Sequence, residues 1–329
     1  MTANPHYCVQ RYLLMTLDPV HIGTGGYRLG RVDNSIAREP GTRLPKIPGS
    51  SLHGAARTYA AYAYGDLDAA GQKQKEIGNP QDHPIYYTFG YNFNTTDRMA
   101  SGVVSIFDAR LLLFPVHSAV GPVWVTTAAR LQEAGFKPVH GPDKAEEIIL
   151  TWEHQGRLNL GWLLLDIAAN DAHVQPPAQW EQESAWKAVK KRIALVHDSL
   201  FSTIVNSNLE VRTSVAINPE TGAAEDGALY TYEAIPRAAF LTSEVMLDDY
   251  KHKDDKRPYP FPVKQTADKK PLPQGRTWQT PLDVVRIGLD MVAYLGVGGM
   301  GTRGFGRIQV VGNPVEENPF AASKQEGTL

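Results

Sequence analysis

The chain has 329 residues, 42% hydrophobic and 21% charged, which is the balance of a soluble globular protein with a sizeable core and excludes a largely disordered one. Its 33 basic and 35 acidic side chains give a formal net charge of −2, so no overall positive excess advertises a polyanionic partner. A single cysteine, Cys8, excludes an internal disulfide and a thiolate zinc cage. With no apolar run near the ~18 residues of a membrane span and no signal-like start, a cytoplasmic protein without membrane association is expected.

Residues 11–17 read as a strand that stops at Asp18-Pro19. A loop follows from His21 to Pro48, with Gly23, Gly25, Gly26, Gly30, Gly41, Pro40, Pro45 and Pro48. It has too many breakers for a helix and is too long for a simple turn, and such loops are usually functional. At Gly49-Ser50-Ser51-Leu52 a helical pattern opens, with Leu52, Ala55, Ala56, Tyr59 and Tyr62 at spacings of three and four and serine as the expected N-cap. A helix N-terminus, a natural anion site, therefore follows the glycine-rich loop directly.

Residues 102–114 are strand-like and are expected to end at Pro115. Residues 140–200 are read as a helical insertion, centred on a charged segment at 181–195, and a polar strand-and-turn region then runs to Phe240. The stretch 241–280, rich in Lys, Pro and Asp, is expected to be an inserted hairpin or thumb-like arm. From Pro281, Leu282, Val285, Leu289, Val292 and Leu295 predict a helix capped by Thr280, followed by a glycine loop and a closing strand at 304–311. Strand, loop, helix and strand at one end, with helix, loop and strand at the other, predict an α+β fold. Its core would be a ferredoxin-like, RRM-like βαββαβ unit with large insertions, all within a single domain of residues 1–329.

Charge is uneven along this order. Residues 1–60 carry seven basic against three acidic side chains, and residues 251–276 carry eight against three. With −2 overall, the remainder carries −11, a polarity that suits a molecule with one surface on phosphate. Scattered solvated charges explain it equally well.

Several motifs fail on spacing. Gly296-Val-Gly298-Gly-Met-Gly301 matches the dinucleotide pattern, but it follows a helix and precedes a strand, the reverse of the required order. Its backbone N–H groups, with Arg303 and Arg307, can still lie along a phosphate chain. Gly49-Ser50-Ser51-Leu52-His53 is not a nucleophile elbow, because His53 replaces the second glycine. Neither a zinc-protease His-Glu motif nor a P-loop is present. In the long loop, His21 and Asp33 stand among Arg28, Arg31 and Arg38, which would keep Asp33 ionised and attract phosphate. An aspartate beside an RNA backbone can orient or deprotonate a 2′-hydroxyl, or hold a divalent ion that does so. Taken alone, a turn-capping aspartate and a core histidine are the commoner explanation.

Pro19-Val-His21-Ile-Gly-Thr-Gly25, Arg31-Val-Asp33-Asn-Ser-Ile-Ala-Arg38 and Pro45-Lys-Ile-Pro-Gly-Ser-Ser-Leu-His-Gly-Ala-Ala-Arg57 together resemble the N-terminal signature of the RAMP superfamily of CRISPR proteins. Gly298-Gly-Met-Gly301-Thr-Arg-Gly304-Phe-Gly306 looks like its C-terminal glycine loop. Residues 107–118, Trp124-Val-Thr-Thr and 226–236 are similar to the backbone subunit of type III-B (Cmr) effector complexes, with a type III-D backbone subunit as the alternative.

The resemblance implies a crRNA-binding subunit that forms a filament with copies of itself and with other type III effector subunits. It would cleave guide-complementary single-stranded target RNA at regular intervals by 2′-hydroxyl attack, assisted by a divalent metal (Mg2+ or Mn2+) at Asp33. Asp33 is the implied catalytic residue, with His21, Tyr232 and Glu233 in the same site. Implied RNA contacts are Arg38, Lys46, Ser50, Ser51, His53, Arg57, Gly299, Gly301 and Arg303. Ser35 stands where the family usually has proline. A non-catalytic guide-RNA scaffold and a free-standing metabolic enzyme are the readings from other classes.

Overall fold

In the computed structural model, which describes residues 7–25, 32–71, 74–93, 96–251, 261–262 and 278–317, the first strand, β1 (Tyr7–Thr16), is flanked on both sides within a large sheet. After it come β2 (Lys46–Ile47), α1 (Gly49–Tyr64), α2 (Pro84–Phe89), β3 (Gly90–Phe93), β4 (Arg98–Ser101), β5 (Val104–Ile106), β6 (Ala109–Ser118), β7 (Gly121–Thr126) and α3 (Ala128–Glu133). The chain continues through β8 (Glu147–Leu150), β9 (Arg157–Leu160), β10 (Leu163–Ala169), α4 (Ala178–Glu181), α5 (Ser184–Val189), β11 (Ile193–Val196) and α6 (Asp198–Ser207). It closes with β12 (Glu210–Ile217), β13 (Ala224–Ala234), β14 (Phe240–Asp248), α7 (Pro281–Leu295) and β15 (Ile308–Glu317).

The large sheet runs β15-β1-β14-β6-β7-β11-β8-β10-β9, with β2 beside β6 and β5 beside β14. Its first four strands are antiparallel neighbours. Because α1 lies between β1 and β6 in the chain, and α7 between β14 and β15, these strands stand in the order fourth, first, third, second of a βαββαβ unit. The α+β class expected from the sequence is what forms.

Strand alternation divides the core between the two faces of the sheet. Tyr12 and Leu14 of β1 join the larger cluster, with Leu52 and Ala56 of α1 and Val285 and Leu289 of α7. Leu13 joins a second cluster with Leu131, Trp180 and Trp186. α7 starts where its residues dictate: the Thr280 side chain accepts from Asp283 N, the Asp283 carboxylate accepts from Thr280 N, and Pro281 occupies the first turn. The two long helices meet through small residues. A Cβ built on Gly288 would lie 2.2 Å from the Ala56 carbonyl oxygen.

Four sequence expectations are corrected. No serine caps α1; its N-cap is Pro48, and the Gly49 N–H donates instead to Asp108 Oδ1 at 2.7 Å. β6 continues through Pro115 to Ser118, because it leaves β14 after Leu113 and thereafter pairs with β7, so the proline sits where the strand has one neighbour. Residues 140–200 are not a helical insertion: β8, β9, β10 and β11 extend the main sheet, and the helices are α4, α5 and the first residues of α6. Their apolar runs are four to seven residues long, the length at which strand and buried helix look alike in sequence. Finally, 241–248 belong to β14 in the middle of the sheet, so any arm starts later. The remainder of the 241–280 expectation falls largely on 252–260 and 263–277, outside the described residues.

Candidate active loop and nucleic-acid cleft

The long loop leaves β1 and doubles back on itself, held by backbone hydrogen bonds rather than by regular structure. Val20 and Ile235 exchange N–H···O bonds of 2.8 and 2.9 Å, Gly306 N donates to Pro19 O, and Gly299 N donates to His21 O at 2.9 Å. The outgoing arm is thus fastened to both β13 and the C-terminal glycine loop. Its return arm pairs with it through Gly23 and Ile36, and Thr24 N donates to the carbonyl of Ser35, the residue that departs from the usual proline. Asn34 then docks on β13, donating from N to Thr231 O at 3.0 Å and accepting from Glu233 N at 3.1 Å. Arg28 and Arg31 lie outside the described residues.

Asp33 sits on this return arm, exposed to solvent. Its Oδ2 accepts from Thr231 N at 2.7 Å and from Thr231 Oγ1 at 2.9 Å, while Asp33 N lies 3.1 Å from the same hydroxyl oxygen. These bonds, the backbone one first, hold the Asp33 carboxyl below the usual aspartate range, so it is ionised at neutral pH. Oδ1 has no hydrogen-bond partner among the described residues.

The other implied catalytic residues gather around Asp33 but turn inward. His21 is 6% exposed, and its Nδ1 is 2.7 Å from the Glu233 carbonyl oxygen; a carbonyl only accepts, so Nδ1 carries the hydrogen. Tyr232 is 5% exposed and packs edge-on against His21 and Phe305. The Glu233 carboxylate accepts from Arg38 Nη2 at 2.8 Å, with side-chain exposures of 13% and 15%. Arg38 also donates to Asn206 Oδ1 and to the Ile36 carbonyl. Of the four, only Asp33 presents its functional group to solvent.

The implied RNA contacts separate in the same way. Lys46 pairs with Asp108 at 2.5 Å, and Asp108 also accepts from Gly49 N, so a carboxylate of this chain already faces the start of α1. Arg57 donates from Nε and Nη2 to the Ala69 carbonyl, inside the fold. His53 packs edge-on against Phe89, and burial followed by the neighbouring Arg57 lowers its pKa, which keeps it neutral at pH 7. Arg307 is held by Asp18. Ser50, Ser51 and Gly301, by contrast, line one open cleft of about 360 Å³, together with Gly54, Thr58 and Tyr59 of α1 and Gly296, Gly298 and Phe305. Gly298 has no alternative there: its φ is +86° and a Cβ would lie 2.5 Å from the His21 carbonyl. Gly299 and Arg303 are exposed on the same loop.

Three residues at the site, Thr231, Tyr230 and Arg212, are given no role by the sequence. Thr231 holds Asp33 and is an ordinary strand threonine between two tyrosines. Tyr230 accepts a hydrogen bond from Arg303, whose guanidinium lies over its ring, and Arg212 stacks over Phe305 at 4.7 Å. Both contacts join the glycine loop to the β12–β13 hairpin, which pairs with no other strand among the described residues. The outer face of that hairpin exposes Val211, Val215 and Leu229, the last to 65%.

Among the described residues, no helix is long and apolar enough to cross a membrane, and no cluster of three or more His, Cys, Asp or Glu side chains could hold a metal ion.

Comparison with known proteins gives one family. The model of the RAMP superfamily matches residues 13–309. A curated protein from Pyrococcus furiosus, the CRISPR system Cmr endoribonuclease Cmr4, is 29% identical over 251 residues, covering 71% of this chain and 80% of that one. Among solved structures, type III-B Cmr-beta bound to cognate target RNA aligns with a TM-score of 0.60 at 14% identity, covering 93% of this chain and 98% of that chain. Oligomeric Cmr4 from Pyrococcus furiosus aligns at 0.53 and 22% identity, covering 94% and 98%.

Proposed function

Because the chain belongs to the RAMP superfamily, we propose that it is the backbone subunit of a type III-B CRISPR effector complex, which binds guide RNA and cuts the complementary target RNA. The carrying observation is the Asp33 carboxylate, exposed and ionised on a loop that is otherwise fixed to β13 and the glycine loop. The relative named an endoribonuclease and the alignment with an RNA-bound Cmr assembly support the same reading.

Guide RNA follows the cleft between α1 and the glycine loop. Ser50 and Ser51 hydroxyls, the backbone around Gly299 and Gly301, and the Arg303 guanidinium offer donors to phosphate there. Such contacts read backbone shape, and base pairing with the guide supplies the sequence choice. Lys46, Arg57 and Arg38 serve this surface indirectly, by holding Asp108, the turn after α1 and Glu233 in place.

In the cleavage step, the target 2′-oxygen attacks the adjacent phosphorus, the bond from phosphorus to the 5′-oxygen breaks, that oxygen takes a proton from water, and a 2′,3′-cyclic phosphate and a 5′-hydroxyl result. Asp33 Oδ1 takes the 2′-hydroxyl hydrogen bond and then its proton. A carboxylate of low pKa is a weak base, so its larger contribution is orientation of the nucleophile. His21, Tyr232 and Glu233 position the loop from beneath. Among the described residues Asp33 Oδ1 is the open carboxylate oxygen that would hold a divalent ion, which would take its remaining ligands from water and RNA phosphate and would polarise the reacting phosphate there.

The test is the assembled complex with labelled complementary RNA, wild type against Asp33→Ala. Loss of evenly spaced cuts by about a hundredfold or more, with guide binding retained, is expected. Unchanged cutting in the mutant removes Asp33 from the reaction, and a wild-type complex that binds but never cuts leaves the scaffold reading in its place.

A further inference from the structure

We propose that Thr231 is the positioning residue of the cleavage site, fixing which oxygen of Asp33 faces the target. The inference rests on the catalytic reading of Asp33 and goes beyond it to a residue on a different element, 198 positions away in sequence.

Asp33 has two equivalent oxygens and an exposed side chain on a loop, so without a tether its carboxylate would rotate freely. Thr231 removes that freedom by three contacts. Its N–H and its hydroxyl both donate to Oδ2, at 2.7 and 2.9 Å, and the Asp33 N–H lies 3.1 Å from the same Oγ1. The ring so formed fixes χ1 and χ2 of Asp33 and leaves Oδ1 as the one carboxylate oxygen open to solvent. Backbone bonds on either side, Asn34 N to Thr231 O and Glu233 N to Asn34 O, lock the register, so Thr231 cannot be exchanged for its neighbours. Its cross-strand partner, Thr213, leaves the site uncrowded because its side chain is small.

The hydroxyl has a separable effect. Thr231→Val keeps the strand, the shape and the backbone N–H bond and removes the hydroxyl, both as donor to Asp33 Oδ2 and as acceptor of the Asp33 N–H. Thr231→Ser restores that hydroxyl. Both hydrogen bonds lower the carboxyl's pKa, so losing one lets it rise toward the ordinary aspartate value. Since the active form is ionised, the acid limb of the rate profile moves to higher pH in the valine variant. Freedom of the carboxylate also lowers the pH-independent rate, by about tenfold, the size expected when one orienting hydrogen bond is lost.

The experiment measures single-turnover cleavage of labelled complementary RNA from about pH 3 to about pH 8, a range that reaches below the ordinary aspartate value where the acid limb lies. It compares wild type, Thr231→Val, Thr231→Ser and Asp33→Ala complexes, with guide affinity measured for each. Expected are a slower valine variant with its acid limb displaced upward, a serine variant close to wild type, and guide affinity unchanged in all. If Thr231→Val cuts at the wild-type rate with the wild-type pH profile while Asp33→Ala is inactive, the positioning role is wrong and the catalytic reading stands. Equal defects in the valine and serine variants assign the effect to packing and also overturn it. Undiminished cutting by Asp33→Ala removes the catalytic reading, and this inference with it.

Discussion

Arg38 and Glu233 show how residue type and residue position diverge in this protein. A glutamate next to a tyrosine in a nuclease site invites a catalytic role, yet its carboxylate lies 2.8 Å from a guanidinium at low exposure. A partly buried pair of this kind is kept because removing one partner strands the other's charge. Arg303 is the opposite case: exposed at the end of the glycine loop, it binds only the ring and hydroxyl of Tyr230 among the described residues. Arg303→Ala should therefore weaken guide binding uniformly across sequences and flatten the dependence of log affinity on log salt by about one unit. Fluorescence anisotropy over a salt series checks this, and an unchanged slope would take Arg303 off the phosphate path.

At the scale of elements, the helices over the sheet were legible and the strands beyond it were not. α7 carried its own start, a capping threonine with aspartate three residues later, and an apolar stripe at helical spacing. α1 carried its stripe but not its cap, since the group that meets its first N–H is Asp108, 59 residues away. α6 escaped the sequence reading because ten residues opening on His197-Asp198 in a polar stretch read equally well as turns. The crossing of α1 and α7 rests on Gly288, where any side chain meets the Ala56 backbone. Gly288→Ala gains helix propensity of roughly 1 kcal/mol. The overlap costs more, and a net destabilisation of about 1–3 kcal/mol is expected. Chemical denaturation reads it, and a stabilised variant would mean that the helices separate more readily than their packing implies.

For the molecule as a whole, the charge count and the fold say different things. Residues 1–60 carry a positive excess in sequence, but Arg11 is bound by Glu244 and Glu317, Arg38 by Glu233 and Lys46 by Asp108. Counting charges along the chain cannot see partners that arrive from β14, β15, β13 and the link between β5 and β6. The hairpin of β12 and β13 stands apart in another sense, pairing with no other strand among the described residues and exposing apolar side chains on one face. Replacing residues 217–227 with Asn-Gly would close the strands between Ala216 and Ala228 in a two-residue turn and preserve the pairing of Thr213 with Thr231. Since the tip adds nothing to either core, the melting temperature should stay within about 2 °C of wild type. A larger fall would show that the tip packs on the body of the protein.

What the sequence determined by itself were the properties that depend on neighbours in the chain. These were the α+β class, the two long helices, the glycine loop that had to approach another backbone, and the membership signalled by ordered motifs at both ends. Asp33 was singled out by the family resemblance, since its breaker-rich loop alone suits a turn-capping aspartate as well. Only the tertiary structure decided which groups remain free to act. Whether a histidine, glutamate, lysine or arginine faces water or an internal partner is set by contacts that span from 12 residues, for Arg57, to 212, for His21. In this protein those contacts turn His21, Tyr232, Glu233, Lys46 and Arg57 inward and leave one oxygen of Asp33 outward. Thr231 belongs entirely to that second category, since nothing in its type or spacing marks it until β13 lies beside the loop.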